Sequence, residues 1–579
     1  MSERILKVEE AEKLYKYWSS NVKEDGLLKE LEDIKMCPQE INERFYKNLN
    51  FGTAGLRGIM GAGTNRMNIY TVRKASQGLA NYLKNIYMSP KVVISYDSRK
   101  NSKLFAYETA KVMAGNNIKS YITKEIQPTP FLSFAVRNLS VSGGIMITAS
   151  HNPPEYNGYK CYGKDGAQLG ESVAYEVYKK IDEIDAFRDI KIAEFDKAIN
   201  KGLISFVNDE IYKSYLDCVI SQRVNEFSLE DLKVTYTPLN GAGNYFVQKA
   251  LKKCGLKELQ VVGCQEYPDE NFKTCPYPNP EISETYLEAK KLAYLKNSDI
   301  ILATDPDSDR VGICVKYNND YNLLSGNEIG ILICDYLLSQ KSKLGTLSEK
   351  SIIIKTIVST LMVNKIARDY DCEVVEVLTG FKNIASEILK LEDSNRERDF
   401  LIGFEESNGY LMGTYVRDKD AVAASLLLCE ISLYYKKLGM TLIDVLENLK
   451  FKYGFFKEKT LSYEFKDKEG AQKIKNIMEN LRNSSQKYFL SKKLRTVEDY
   501  LNSKVFNVED NSSVKKELPL SDVLVFCFDE SNKIVVRPSG TEPKIKFYLM
   551  VKKDSEEEAD SEIERWKVGM DELVGNIKF

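Results

Sequence analysis

Short apolar runs that end in polar loops alternate along this chain with longer segments whose apolar residues repeat at helical spacing. The short runs are continuous and rich in β-branched residues, which is typical of strands covered on both faces. Strand–helix alternation predicts α/β domains with mostly parallel, mixed sheets. The predicted strands are 91–97, 143–150, 233–239, 298–305, 351–358, 373–379 and 399–405. The predicted helices include 71–86, 244–255 and 327–341.

The strand–helix rhythm restarts about three times and then changes. We therefore expect three α/β domains at 1–205, 206–325 and 326–452, because single cores stop growing at about 250–300 residues. The last part combines a helix, β-rich runs and a long charged helix, which predicts an α+β domain at 453–579. The polar stretch 450–470 is the best linker candidate.

Composition narrows the functional classes. The formal net charge is −2, so the chain has no global positive field to hold a nucleic acid or an anionic membrane. An anionic substrate would need a local basic pocket. The 11 cysteines form no C-x-x-C pair, and the N-terminal segment lacks the apolar core of a signal peptide. Both features favour a cytoplasmic protein without a metal–thiolate cluster.

The sequence TDPDSDRVG follows an apolar run and carries alternating carboxylates at Asp305, Asp307 and Asp309. In extended geometry these residues share one face, so their charges converge and a cation relieves the repulsion. Oxygen ligands favour a hard ion such as Mg²⁺. Arg310 follows at once and offers a planar fork to a phosphate. The alternative is a solvated acidic turn.

Ser150 lies in TASHNPPEYNGYK, where a predicted strand runs into the prolines at 153 and 154. The carboxyl edge of an open α/β sheet is where ligands bind, so an exposed Ser150 is a candidate nucleophile. His151 and Lys160 are candidate proton-transfer groups. Alternation along a strand means that His151 need not touch the Ser150 hydroxyl. The alternative is a serine that only caps a turn.

Four further loops carry polar groups that suit a phosphorylated sugar. GFEESNGY supplies Glu405 and Ser407 as acceptors and donors for sugar hydroxyls. LTGFKN follows another strand, and FGTAGLRG is a glycine-rich turn with one arginine. VRPSGTEPK combines a planar fork with hydroxyls and backbone N–H groups at what is predicted to be the start of a helical turn. Each of these loops is also compatible with an ordinary polar turn or, for the lysine of LTGFKN, a surface residue.

Taken in order, FGTAGLRG, TASHNPPEYNGYK, DPDSDR, TGFK, FEESNG and RPSGTEPK resemble the motifs of the α-D-phosphohexomutase family. They span residues 51–544, and the length and wording look most like the large phosphoglucomutase and phosphopentomutase branch. The resemblance implies four domains around a central cleft. It also implies an isomerase of carbohydrate metabolism that interconverts sugar 1-phosphate and sugar 6-phosphate, with glucose as the first choice.

The same resemblance implies roles for individual residues. Ser150 would be the phosphoserine and, with the three aspartates, would bind Mg²⁺. A sugar 1,6-bisphosphate would be the activator and intermediate. The catalytic set would be Ser150, His151, Lys160, Arg57, Arg310 and Lys382. The substrate-binding set would be Thr379, Gly380, Glu405, Ser407, Arg537, Ser539, Gly540 and Thr541. Some relatives carry a histidine after the T-G pair, where this chain has Phe381 and Lys382.

Several alternatives stay open at this level. Mannose or pentose phosphates fit the same chemistry, and a non-catalytic sugar-phosphate binding protein would use the same groups. A serine hydrolase lacks the G-x-S-x-G motif and has only one histidine to use. An Asp-nucleophile phosphatase would carry the phosphoryl group on Asp305. The preferred sugar and the oligomeric state do not follow from the sequence.

Overall fold

A computed structural model describes residues 7–52, 55–465, 470–483, 487–516, 519–539 and 544–576, without the side chains of residues 471 and 576. Contacts between residues divide the chain into two compact units. The first combines Met1–Ile329 with Gly380–Thr441, and the second combines Gly330–Thr379 with Leu442–Phe579.

The described chain begins with three short amphipathic helices, whose apolar faces form a cluster with the start of the next long helix. Trp18 and Phe45 lie at the centre of this cluster, and both are almost fully buried. The helices are α1 Val8–Asn21, α2 Asp25–Asp33 and α3 Pro38–Phe45. Pro38 at the first position of α3 suits a helix start, because the missing N–H has no partner there.

The first α/β region holds a six-stranded mixed sheet in the order β1-β5-β4-β2-β3-β6. Strands β2, β3, β4 and β6 are parallel, and β5 lies antiparallel between β4 and the edge strand β1. The strands are β1 Gly55–Ile59, β2 Lys91–Tyr96, β3 Lys119–Ile122, β4 Gly143–Ile147, β5 Tyr156–Tyr162 and β6 Ile204–Phe206. The helices are α4 Ile69–Ile86, α5 Ser102–Gly115, α6 Thr129–Asn138, α7 Glu171–Asp182 and α8 Phe195–Asn200.

The second α/β region holds a five-stranded mixed sheet in the order β11-β10-β9-β7-β8. Strand β9 is fully buried, as its uninterrupted apolar run predicts. The helices are α9 Asp209–Ile220, α10 Asn244–Lys253, α11 Gly263–Glu266 and α12 Leu287–Lys296. The strands are β7 Lys233–Thr237, β8 Glu258–Val261, β9 Ile300–Thr304, β10 Val311–Tyr317 and β11 Asp320–Leu323.

The third α/β region contributes to both compact units. Strands β12 and β13 pair in parallel, and β14 and β15 form an antiparallel hairpin. The strands are β12 Ile352–Thr356, β13 Glu373–Val377, β14 Phe400–Glu405 and β15 Gly409–Met412. The helices are α13 Gly326–Lys343, α14 Met362–Arg368, α15 Phe381–Asp393, α16 Ala421–Lys437 and α17 Leu442–Tyr453.

The C-terminal region is built on a seven-stranded antiparallel sheet in the order β16-β24-β23-β22-β19-β20-β21, with a separate β17–β18 hairpin. Its core gathers apolar residues of helices α18 and α19 around Trp566. The helices are α18 Gly470–Asn483 and α19 Glu556–Asn576. The strands are β16 Phe455–Glu464, β17 Tyr488–Phe489, β18 Lys492–Lys493, β19 Thr496–Asp499, β20 Lys504–Asn507, β21 Ser513–Lys515, β22 Leu524–Cys527, β23 Lys533–Pro538 and β24 Lys544–Lys553.

The structure confirms three α/β regions with mixed sheets and a C-terminal α+β region. The interpretation of 450–470 as a linker is wrong, because α17 and β16 occupy most of it and only Gly454 separates them. Strand β16 pairs with β24 along its whole length. The alternating polar residues that suggested a linker are the solvent face of this strand. None of the helices in the described segments is long and apolar enough to span a bilayer.

Candidate active site

Ser150 lies in a turn that begins where strand β4 ends at Ile147, three residues earlier than the predicted strand end. Its φ is +52°, a left-handed conformation that a non-glycine residue rarely adopts. Arg99 holds the turn in this conformation. Its guanidinium is fully buried and donates to the carbonyls of Ser150 and Asn152, and also to those of Pro153 and Tyr156.

The left-handed turn brings the Ser150 hydroxyl to two groups that an extended strand would have separated. Its Oγ donates to Asp305 Oδ2 at 2.8 Å and lies 3.2 Å from Nδ1 of His151. The sequence left the contact with His151 open, and the structure makes it because the positive φ of Ser150 breaks the strand alternation. Burial, and then the charges of Arg310 and Arg57, hold the pKa of His151 well below its usual range, so its imidazole is neutral.

The three aspartates converge through a turn, not through the extended geometry that the sequence predicted. Strand β9 ends at Thr304, and Ser308 adopts a φ of +53°. One oxygen from each of Asp305, Asp307 and Asp309 lies within 4.8 Å of the others, and all three residues are buried. The Asp305 Oδ1 atom accepts the backbone N–H groups of Asp309 and Arg310, which fixes the turn.

Two lysines reach the aspartates from other parts of the first unit. Lys160 Nζ on β5 lies 2.8 Å from Asp307 and 3.5 Å from Asp309, and Lys419 Nζ lies 3.2 Å from Asp309. Burial opposes the charge of Lys160, but the two aspartates outweigh it and raise the pKa of this lysine. Lys160 is therefore held as a cation among the carboxylates.

The directions of the aspartate pKa shifts show that nearby positive groups do not fully compensate the negative charge of the three carboxylates. Burial, and then the charges of Asp307 and Asp309, raise the pKa of Asp305 well above its usual range. Burial and Asp309 oppose ionisation of Asp307, but contact with Lys160 leaves the pKa of Asp307 lowered. Burial likewise opposes ionisation of Asp309, but Lys419 and Lys160 leave its pKa lowered.

These residues fit a hard divalent cation. Asp307 Oδ1 and Asp309 Oδ1 are buried and accept no hydrogen bond from the described part of the chain. The nearest cationic atom given for Asp309 Oδ1 is Arg310 Nε at 4.0 Å, beyond hydrogen-bond distance. Buried carboxylate oxygens normally accept hydrogen bonds, so two that accept none in one cluster indicate a missing positive partner. The donor set consists of oxygens only, which favours Mg²⁺ over softer metals.

The two predicted phosphate-binding arginines lie at this site. Arg57 on β1 is exposed and donates to the Asn152 side chain at 3.0 Å, beside the Ser150 turn. Arg310 pairs with Glu281, a residue that the sequence analysis did not single out. Its Nε is buried and makes no hydrogen bond to any described residue. Both guanidinium groups therefore lie next to the aspartate and serine turns.

The predicted sugar-binding loops follow strands β13 and β14. Ser407 is in the turn between β14 and β15, and Asn408 anchors that turn to Val311 of β10, next to the aspartates. Glu405 Oε1 accepts the Gly380 N–H at 3.0 Å, and burial raises the pKa of this carboxyl. Thr379 directly precedes Gly380 in the chain.

Lys382 forms an ion pair that the sequence analysis did not predict. Its Nζ donates to Glu171 at 2.9 Å, where Glu171 is the first residue of α7. Nothing in this contact tests a catalytic role for Lys382, which stays a prediction.

The predicted C-terminal phosphate loop lies only partly within the described residues, so its helical turn stays a prediction. Arg537 is the next-to-last residue of β23. The Ser539 N–H donates to the Lys544 carbonyl at 2.7 Å and therefore already has a partner. Gly540 and Thr541 lie outside the described residues.

Sequence reasoning missed three residues that shape the site. Lys419 contacts Asp309 and Asp418, Arg99 holds the serine turn, and Thr129 donates to Asp307 Oδ2 at 2.9 Å. Lys419 lies in the charged run RDKD after β15, and Arg99 lies in the run SRK after β2. Because polar groups at strand ends gather at one sheet edge, these two runs were the available signal. Thr129 carried no such signal.

Three sequence models of the phosphoglucomutase/phosphomannomutase family match this chain. The alpha/beta/alpha domain I model matches residues 48–188, domain II matches 213–318 and domain III matches 325–453.

Curated relatives match over nearly the whole chain. A phosphoglucomutase of Staphylococcus haemolyticus (strain JCSC1435) is 36% identical over 548 residues, which is 94% of this chain and 98% of the relative. A phosphoglucomutase of Staphylococcus aureus (strain MSSA476) is 37% identical over 516 residues, covering 89% and 91%.

Two solved structures share the fold at lower identity. The open form of the Paramecium phosphoglucomutase pp63/parafusin has a TM-score of 0.67 at 18% identity, covering 91% of this chain and 96% of that one. A phosphoglucomutase/phosphomannomutase family protein from Burkholderia thailandensis has a TM-score of 0.64 at 16% identity, covering 91% and 98%.

Proposed function

The chain belongs to the α-D-phosphohexomutase family and is a sugar-phosphate mutase, and from this premise we propose that Ser150 carries the phosphoryl group and that glucose phosphate is the preferred substrate. One observation carries the assignment of Ser150. Its Oγ lies 2.8 Å from Asp305, inside the cluster of buried carboxylates. The preference for glucose is supported by the names of the staphylococcal relatives.

In the first half-reaction, a free hydroxyl of the sugar monophosphate attacks the phosphorus of phospho-Ser150. The new sugar O–P bond forms as the Ser150 O–P bond breaks, and Ser150 recovers a proton as the sugar hydroxyl loses one. The sugar bisphosphate then offers its other phosphoryl group, and the Ser150 hydroxyl attacks it. The original phosphoserine is regenerated, and phosphate and protons balance over the cycle.

The neutral imidazole of His151 suits proton exchange with Ser150, because its Nδ1 lies 3.2 Å from the serine oxygen. Lys160 and Lys419 keep their charge and orient the aspartates. Arg57 and Arg310 would stabilise charge on the equatorial phosphoryl oxygens. Glu405 and Ser407 would bind sugar hydroxyls, and Lys382 would assist in orientation.

Asp305, Asp307 and Asp309 would hold Mg²⁺ together with an oxygen of phospho-Ser150. When bound there, the ion would supply positive charge to the phosphoryl group. The roles of Arg537, Ser539, Gly540 and Thr541 in holding the phosphate that is not transferred rest on the sequence resemblance, as does the role of Thr379.

A coupled assay tests the substrate. Purified protein with Mg²⁺ and a trace of the matching bisphosphate is given glucose, mannose, ribose or deoxyribose 1-phosphate. We expect the highest kcat/KM with glucose 1-phosphate, and no turnover in Ser150→Ala. A higher kcat/KM for mannose or pentose phosphate would refute the glucose assignment but leave the mutase chemistry intact.

A further inference from the structure

A cavity lies in the first unit, and its lining contains no residue of the serine or aspartate turns. It has a volume of about 560 Å³, within the range of about 300–1,000 Å³ typical of small-molecule sites. Its walls come from α1, the segment after α3, and helices α4 and α7. We refer to it as the N-terminal cavity. The α1 helix and α3 precede residue 48, where the family match begins.

Aromatic side chains line one side of the N-terminal cavity. Tyr17, Trp18 and Phe187 pack edge to face, with both Tyr17 and Trp18 5.4 Å from Phe187 between ring centroids. Tyr178 of α7 adds a fourth ring to the lining. Trp18 is almost fully buried, so the partly exposed rings of Tyr17, Tyr178 and Phe187 are the ones that a planar ligand can contact.

Lysines supply the cationic part of the lining. Lys74 on α4 is half-buried, and no described residue forms an ion pair with it within 4.0 Å. Burial lowers the pKa of Lys74, and Asp182 and Asp185 only partly counter this effect. Lys13 and Lys47 also line the cavity. A half-buried lysine without a contacting carboxylate is partly desolvated, and an anion in the cavity would relieve that cost.

The acidic residues that line the cavity do not contact Lys74, so they do not take the place of a bound anion. Asp185 already accepts the Tyr17 hydroxyl at 2.9 Å and the backbone N–H groups of Phe187 and Arg188. Glu10 accepts the Lys7 N–H at the start of α1, and Asp182 is exposed at the end of α7. The lining therefore combines aromatic side chains with Lys74, which no carboxylate of the described residues contacts.

We propose that the N-terminal cavity binds a small anion with a planar aromatic body, of the class of nucleoside monophosphates, at a site separate from the sugar-phosphate site. The aromatic wall takes the base, and Lys74 takes the phosphate. This proposal does not depend on which sugar the mutase prefers. Leu49 and Leu56 also line the cavity, and Leu56 is the β1 neighbour of Arg57, so the bound ligand would lie against the strand that carries this arginine.

Titration calorimetry on the full chain tests the proposal with adenosine 5′-monophosphate as the probe. We expect saturable binding that excess glucose 1,6-bisphosphate does not displace. Lys74→Met should weaken the affinity about tenfold or more, the loss expected for one charge-assisted hydrogen bond. Lys84→Met is the matched control, because Lys84 is an exposed lysine on the same helix that does not line the cavity, and it should leave the affinity unchanged.

Tryptophan emission gives a second readout that does not depend on the lysine variants folding. The chain has two tryptophans, and Trp566→Phe leaves only Trp18 in the cavity wall. We expect the probe to change Trp18 emission with the affinity found by calorimetry. Absence of binding at millimolar probe, equal affinity in Lys74→Met, equal affinity for adenosine alone, or displacement by the bisphosphate would each overturn the proposal.

Discussion

Arg99 is the residue on which the geometry of the Ser150 turn depends most. Its buried guanidinium donates to four backbone carbonyls of residues 150–156 and lies 3.4 Å from the buried Asp97. It also lies 5.1 Å from the Phe272 ring, so packing fixes it from the other side. Arg99→Met removes these donors and leaves Asp97 without its cation.

We predict that Arg99→Met lowers the free energy of unfolding by about 3–5 kcal/mol, the cost of breaking a buried ion pair. It should also lower kcat/KM by about 100-fold, because a small misplacement of a reacting group is costly. Denaturant unfolding and the coupled assay measure the two effects. Lys100→Met, at an exposed neighbour, is the control and should change neither quantity. Full activity in Arg99→Met would contradict a positioning role.

At the residue scale, the sequence predicted which side chains form the site but not the backbone conformations that bring them together. The family resemblance implied that Ser150 and the aspartates lie together, and the structure brings the Ser150 hydroxyl to Asp305. The left-handed conformations of Ser150 and Ser308 could not be predicted, since neither residue is a glycine and both depend on tertiary hydrogen bonds. The contact of Lys419 with Asp309 is also tertiary, and the charged run after β15 did not identify this partner.

At the element scale, the start of helix α15 ties a backbone conformation to the sugar-binding loop. Gly380 precedes the helix with a φ of +107°, and its N–H donates to Glu405. Only glycine adopts this conformation without strain.

We predict that Gly380→Ala lowers the free energy of unfolding by about 1–3 kcal/mol. It should lower kcat/KM about tenfold, because Glu405 loses a well-placed donor. Gly439→Ala is the control, since Gly439 follows α16 with a φ of +74° and open space around it. This variant should be destabilised without loss of kcat/KM. An equal loss of kcat/KM in both variants would show that the effect is not local to Glu405.

Strands β12 and β13 carry an ion pair in the second unit that makes its stability depend on pH. Glu376 Oε1 lies 2.7 Å from Lys355 Nζ, and Glu376 Oε2 lies 3.6 Å from Lys533 Nζ. Burial opposes the charge of Glu376, but Lys355 and then Lys533 lower its pKa from 4.5 to about 2. The folded-state pKa is therefore below the unfolded one, so the stabilisation is complete above pH 4.5 and is lost as the pH falls towards 2.

We predict that Glu376→Gln lowers the free energy of unfolding by about 1–3 kcal/mol at neutral pH, because burial also lowers the pKa of Lys355 and offsets part of the gain. The difference from the wild type should narrow as the pH falls below 4.5. Urea unfolding followed by Trp566 emission measures it. Glu373→Gln on the exposed end of the same strand should show no such difference. A difference that stays constant down to about pH 3 would contradict the ionic origin.

Element existence followed well from the sequence, and element ends did not. Each of the seven predicted strands contains an observed strand, but β4 and β9 end before the residues that carry chemistry. The apolar pattern continues past the last ladder hydrogen bond, so it cannot mark where the turn begins. Strand β16 was missed because its alternating polar face has the composition of a loop.

At the scale of the whole molecule, the aspartates belong to the first unit and one tryptophan belongs to each unit. Trp18 lies in the first unit and Trp566 in the second. A ligand that binds only the folded state stabilises it by about 2.7 kcal/mol at 100 times its Kd.

We predict that Mg²⁺ raises the urea midpoint reported by Trp18 more than the midpoint reported by Trp566, each measured in a single-tryptophan variant. Asp307→Asn should abolish the shift, and Asp231→Asn, at an exposed carboxylate, should leave it unchanged. If Asp307→Asn retained the full shift, Mg²⁺ would have to bind elsewhere.

The central claim is that the phosphoryl group resides on the Ser150 oxygen beside the aspartates. Intact-protein mass and peptide mapping, after incubation with glucose 1,6-bisphosphate and Mg²⁺, test it most directly. We predict one phosphoryl group per chain, located on Ser150, removed by excess sugar monophosphate and absent in Ser150→Ala. A phosphoryl group on Asp305, or equal labelling of Ser150→Ala, would contradict the account.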